Sequence, residues 1–247
     1  MLRVGYAVQD ITPEIGLTLS GFASRCDRPS EGVDDPLEIH ALVVDGEDGP
    51  VLLAVYDLLA LGTEITEAIH RALDAATAIP RERRILSCTH THSGPSTVTL
   101  LACGIADPAY HRLVVERTVA VACDAVAALR PATMRVTSAP VTGVSYYRRA
   151  LLADGRVSMA KDPDGEVVQI GPTWDVMRCV RFDDAAGTAI ATLLHWACHP
   201  VTRGALAVTA DLAGAVRRQF AAKTGAPALF IQGAAGDINP TAFGQSL

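Results

Sequence analysis

The chain reads as an α/β protein, with mixed β-sheets flanked by helices in one layered domain. Three observations predict this. Apolar residues alternate between a strand-like period of two and a helix-like period of about 3.6. Segments of the two kinds interleave along the chain rather than separating into halves. The 247 residues, 49% apolar and 19% charged, suffice for one large core and lie far from a disordered composition.

Taken in order, Leu37 to Val44 and Val51 to Asp57 are apolar, β-branched runs. The turn residues Asp45-Gly46-Glu47-Asp48-Gly49-Pro50 separate them, which predicts a hairpin. Ile65, Ala68, Ile69, Ala72, Leu73 and Ala76 then recur at helical spacing, with Thr63 as cap and Pro80 beyond the end. Arg84 to Cys88 reads as a strand running into Thr89-His90-Thr91-His92. Asp107 as N-cap and Pro108 as first residue open a second helix, which Pro131 stops. Strands follow at Met134–Thr137, Val176–Phe182 and Thr188–Trp196, then a helix from about Leu212 to Lys223 and a strand at Ala228–Ile231. The polar stretch Ala153–Pro172 is expected to be the longest loop, and no sequence repeat is visible.

Bulk properties exclude several classes. The net charge is −6, and Arg81-Glu82-Arg83-Arg84 is the longest basic cluster, so no nucleic-acid partner is expected. No signal peptide and no apolar run of about 18 residues is evident, so a chain without a transmembrane segment, in the cytoplasm, is the expectation. The six cysteines are scattered without a CxxC pair and read as buried small hydrophobes. The sequence leaves the oligomeric state open.

Four of the seven histidines fall in two short motifs. In Ser87-Cys88-Thr89-His90-Thr91-His92-Ser93-Gly94-Pro95, a continuing strand would put His90 and His92 on one face. Two such imidazoles can converge on one metal, or one can bind while the other meets substrate; a hydrogen-bonded pair at a strand end is the plainer possibility. In Leu194-His195-Trp196-Ala197-Cys198-His199-Pro200, His199 sits at a turn forced by Pro200 and is a candidate ligand or a capping histidine. Zinc needs about four ligands, one open to water in a catalytic site. Asp57, Asp237 and His195 are candidates to complete the set or brace it, although His195 reads better as a core imidazole and Asp211 as a helix cap. The turn Gln232-Gly233-Ala234-Ala235-Gly236-Asp237-Ile238-Asn239-Pro240 has no P-loop lysine and opens no long helix, so it is not a phosphate loop. No GxSxG elbow is present.

Taken together, Val4-Gly5-Tyr6 through Asp10-Ile11-Thr12-Pro13, Ser20-Gly21-Phe22-Ala23, the His90–Pro95 string, Ala197-Cys198-His199-Pro200 and Gly233 to Pro240 resemble the neutral/alkaline ceramidases and their bacterial relatives. The resemblance implies a zinc amidase that cleaves the N-acyl bond of ceramide-like lipids by a metal-bound hydroxide. It implies His90 and His199 as zinc ligands, His92 at the substrate or transition state, and Arg148 as a substrate-binding arginine, with Tyr147 where the family has asparagine. Asn239 is the remaining catalytic-site candidate: it stands where the family carries a serine long discussed as catalytic, so that serine's role cannot transfer to it unchanged. The family's other two ligands, a glutamate and a tyrosine, follow well after this turn, whereas the chain stops seven residues beyond Pro240. The expectation is therefore a ceramidase-like N-terminal metal-hydrolase domain over residues 1–247, C-terminally incomplete, acting on a lipid or other small molecule. The alternatives are a metal-dependent amidase or esterase for a different small substrate, and a truncated, non-catalytic binding module.

Overall fold

The computed structural model describes residues 1–242. In chain order these form β1 (Arg3–Asp10), β2 (Glu38–Gly46), β3 (Gly49–Tyr56), α1 (Thr63–Ala76), β4 (Arg84–Cys88), α2 (Pro108–Ala127), β5 (Thr133–Pro140), β6 (Ser145–Tyr147), β7 (Val176–Asp183), β8 (Ala189–Trp196), α3 (Asp211–Thr224), β9 (Ala228–Gln232) and β10 (Ile238–Pro240), with shorter strands between them.

Two mixed sheets organise the chain. The first has the order β4-β3-β2-β1, with Arg130–Pro131 added at its edge; the second has the order β9-β8-β7-β5. In the first, β3 and β4 are parallel and joined through α1, while the remaining pairs are antiparallel. In the second, β8 and β9 are parallel and joined through α3, and again the rest are antiparallel. The same strand, hairpin, helix, strand order is thus used twice, although no repeat is visible in the sequence.

Side-chain alternation explains how the sheets pack. Ile39, Ala41 and Val43 of β2, with Leu52, Ala54 and Tyr56 of β3, bury against Ile65, Ile69 and Leu73 of α1 and Val114, Val121 and Ala125 of α2. On the opposite face, Val4, Leu42 and Val55 share a cluster with Phe182, Ala191 and Leu229 of the second sheet. Leu194, Trp196 and Phe230 turn the other way and pack with Ala213 of α3. Helix α2 lies so close to β1 that a Cβ on Gly5 would sit 1.9 Å from the Ala125 carbonyl oxygen.

The expected hairpin is present, with β2 and β3 in register from Ile39↔Tyr56 to Gly46↔Gly49. Asp107 caps α2 as expected, accepting from Tyr110 N at 2.7 Å. Several expectations need correction. Strand outweighs helix, so the α/β expectation holds as mixed sheets with three helices, a sheet-rich chain. Gly62, not Thr63, occupies the cap of α1, and Ala210 that of α3, with Asp211 as its first residue. The stretch expected as a long loop carries strands Val157–Ser158 and Val167–Gln169, both paired with Ala150–Leu152. The cysteines are all free, and only Cys198 is fully buried. No helix among the described residues is long and apolar enough to cross a membrane.

Candidate metal centre

The parallel strand of each sheet, and the strand it follows, end on one side of the molecule, and the loops leaving them carry the histidines. The chain leaves β4 at Cys88 and turns at once, because His90 adopts a left-handed φ of +67°. A continuing strand is therefore not what brings His90 and His92 together. The segment after β3 does this instead: Thr89 N donates to Tyr56 O at 2.8 Å and His90 N to Leu58 O at 3.0 Å. From the second sheet, His199 follows β8, and its N–H donates to Ile238 O at 2.9 Å.

The three imidazoles converge edge to face, with ring centroids 4.8 to 5.1 Å apart. His92 Nε2 lies 3.0 Å from His199 Nε2 and 3.4 Å from His90 Nε2. Zinc–nitrogen bonds of about 2.0–2.1 Å at tetrahedral angles hold ligand atoms about 3.3 Å apart, so this spacing fits the metal. The tautomers fit as well. His90 Nδ1 meets Leu59 O at 2.9 Å and His199 Nδ1 meets Ala235 O at 3.0 Å, and a carbonyl can only accept. Both rings then carry their proton on Nδ1, which leaves Nε2 of each as the lone-pair nitrogen, 3.4 Å (His90) and 3.0 Å (His199) from His92 Nε2. His92 lacks such a brace: its buried Nδ1 makes no well-formed hydrogen bond, with the Gly21 backbone facing it. Burial, then the charges of His199, His90 and Arg25, push the His92 pKa down to about 3; His199 is lowered chiefly by burial. Neutral imidazoles at pH 7 are what metal ligation requires.

Gly21 and Arg25 shape this corner. A Cβ on Gly21, whose φ is +104°, would lie 2.4 Å from the His92 ring. Gly21→Ala is therefore expected to displace His92 and lower any hydrolytic activity, with bound metal retained if His92 is not a ligand; parallel metal and rate assays check this. Arg25 is buried and was not singled out by its sequence. Its guanidinium donates to the His92 carbonyl, to Ser20 O at 3.2 Å, to Ser93 Oγ at 2.9 Å and to Ala205 O at 2.8 Å, so it ties the two histidine loops together. Asp211 completes the bracket, accepting from Thr202 N at 3.0 Å, Thr202 Oγ1 at 2.8 Å and Arg203 N at 3.1 Å. Arg25→Met is expected to weaken metal affinity about 10–100-fold, as loss of ligand-orienting partners typically does. A competition titration against a chelator measures this.

Of the other sequence candidates, Arg148 and Asn239 meet each other. The pairing of β6 with β10 sets Tyr147 opposite Ile238 and Tyr146 opposite Asn239. Arg148 donates to Gly236 O at 2.6 Å and to Asn239 Oδ1 at 3.3 Å, and its charge contributes to lowering the His199 pKa. Asp237 and His195 lie outside the histidine cluster.

Asp57 also lies outside it. It is fully buried and accepts from Arg217 Nη1 at 2.7 Å and Nη2 at 2.6 Å, with Glu38 N as a further donor at 3.0 Å. Glu38, His40 and Asp57 form a second group of clustered donors, but the Arg217 guanidinium already occupies it as the cation. His40, through its hydrogen bond, and then Arg217 hold Glu38 down to about 2 against the burial that would raise it. The resulting stabilisation is complete above Glu38's ordinary value of 4.5 and is lost as pH falls towards about 2. Thermal melts between pH 5 and 2 are expected to show this decline, and Glu38→Gln to flatten it.

Comparison with protein-family models and with curated proteins gives no match. Among solved structures, neutral ceramidase from Pseudomonas aeruginosa matches with a TM-score of 0.81 at 22% identity, over 97% of this chain and 39% of that one. A ceramidase complexed with C2 matches with a TM-score of 0.80 at 21% identity, over 97% of this chain and 38% of that one. The chain thus has the fold of the matched part of neutral ceramidase and spans about two-fifths of the length of those proteins.

Proposed function

We propose that this chain is the metal-binding part of a ceramidase-like hydrolase that cleaves an acyl amide, with His90 and His199 as zinc ligands. The observation that carries this reading is the pair of imidazoles whose Nδ1 atoms meet main-chain carbonyls while their Nε2 atoms lie together in one three-histidine cluster. The shared fold with the ceramidases supports the choice of an amide bond and a lipid substrate over other hydrolytic chemistry. When bound, zinc supplies a Lewis acid and lowers the pKa of a bound water towards about 7.

The chain's own residues supply the rest. His92 is neutral at pH 7 and its Nε2 lies 3.0 Å from His199 Nε2, so it is placed to hold or relay a proton beside the reacting carbonyl. Arg148, whose charge acts on His199, orients the polar end of the substrate. Asn239 offers no nucleophilic hydroxyl; it receives Arg148 and donates to Tyr146 Oη at 3.4 Å. It is therefore a positioning residue.

A second reading takes His92 as a third ligand, favoured by its Nε2 distances of 3.0 and 3.4 Å. Elemental analysis of His92→Ala separates the two: metal retained with activity lost supports the proton-relay role, and metal lost supports a three-histidine set. A panel of N-acyl lipids against short N-acyl amides tests the substrate, and turnover of only the short amides would refute the lipid assignment. Absence of zinc in the wild-type chain, with no turnover of either class, would instead favour a non-catalytic binding module.

A further inference from the structure

The turn Gly233–Asp237 has two sides. One holds the Ala235 carbonyl that fixes the His199 ring. The other closes a separate cavity of 540 Å³, bounded by Pro172, Trp174, Arg178, His195, Ala197 and Ala234. That volume lies within the roughly 300–1,000 Å³ of small-molecule sites. Trp174, Pro172, Ala197 and Ala234 make its walls largely apolar, and among the described residues no carboxylate lines it.

Its polar side chains are Arg178, His195 and Thr173, none of them an acid. Arg178 lies over the Trp174 ring at 4.8 Å, and among the described residues no carboxylate pairs with it. His195 stands directly opposite Arg178 in the register of β7 and β8, so both side chains leave the same face of the sheet. Burial first, and then the Arg178 charge, lower the His195 pKa, leaving a neutral imidazole beside a free guanidinium. An apolar cavity with a lone arginine and an adjacent neutral donor complements an anion carried on an apolar body.

We propose that this cavity binds a carboxylate on an acyl chain, with the carboxylate at Arg178 and His195 and the chain along Trp174. This ligand class is the acid that acyl-amide hydrolysis releases, but the site shares no side chain with the histidine cluster and its binding does not require turnover.

The test uses the full chain kept metal-free with a chelator, so that failure of the zinc reading cannot affect it. The probes are octanoate and its neutral isostere octanamide, followed by calorimetry and tryptophan fluorescence. Trp174 is 41% exposed while Trp196, the other tryptophan, is 2% exposed, so Trp174 reports binding. Octanoate is expected to bind at one site per chain at least tenfold more tightly than octanamide. Arg178→Met should erase that preference, Arg178→Lys should keep part of it, and Trp174→Ala should weaken both ligands. Equal affinity for the two probes, no saturable binding, or an unchanged preference in Arg178→Met overturns the proposal. Should Arg178→Met fail to melt cooperatively, the comparison of the two probes on the wild-type chain decides alone.

Discussion

His199→Ala is expected to empty the metal site and abolish hydrolytic activity with it. The side chain offers one lone pair, its ring is held by Ala235 O and its backbone N–H by Ile238 O, and the alanine variant removes that lone pair. Loss of a ligand should exceed the roughly 10–100-fold penalty of losing an orienting partner. His90→Ala is expected to behave alike, because Leu59 O fixes its ring in the same way. His195→Ala, which removes a ring from the other cavity, should keep its metal. Zinc per chain by elemental analysis after gel filtration measures all three. Metal retained in both His90→Ala and His199→Ala would show that these nitrogens are not the ligands, and a residual site elsewhere would have to be sought.

Much of this corner is legible in the sequence because its residues occur as short strings. Thr89 to Pro95 and Cys198 to Pro200 each place a histidine within a turn, and the structure brings their imidazoles together. The route to that geometry is less visible. The sequence suggests a continuing strand through His90 and His92, whereas the left-handed φ of His90 and the carbonyls of Leu58 and Leu59 set the rings. Nothing near His90 in sequence announces those carbonyls, since they lie about thirty residues earlier. Arg25 is hidden for a similar reason: a buried arginine that spends its donors on distant carbonyls has the same local sequence as a surface one. Asp57 shows the converse. Its place at the end of an apolar strand suggested a ligand, but an arginine 160 residues later claims its carboxylate. The twice-used strand order also escapes the sequence, because period-two patterning fixes which face is buried and says little about which strands are neighbours.

Arg217→Met is expected to destabilise the chain by about 3–5 kcal/mol, equivalent to a fall in Tm of about 6–20 °C. The reason is asymmetric. Asp57 has no solvent exposure, so without the guanidinium its charge is buried with only the Glu38 N–H as a donor. Asp57→Asn alone leaves Arg217 with Glu38, which is partly exposed, and should be milder. The double variant Asp57→Asn with Arg217→Met removes both charges and should recover part of the loss, giving a coupling energy that a double-mutant cycle reads directly. Purely additive effects would mean that the pair does not interact energetically and that Arg217 acts only through packing. The location gives the pair its wider consequence. Arg217 comes from α3 behind the second sheet, whereas Asp57 begins the segment of the first sheet from which His90 hangs. Chemical denaturation of Arg217→Met should therefore release zinc and change the tryptophan signal at lower denaturant than in the wild type, because the variant lacks the ion pair that ties α3 to the segment carrying His90.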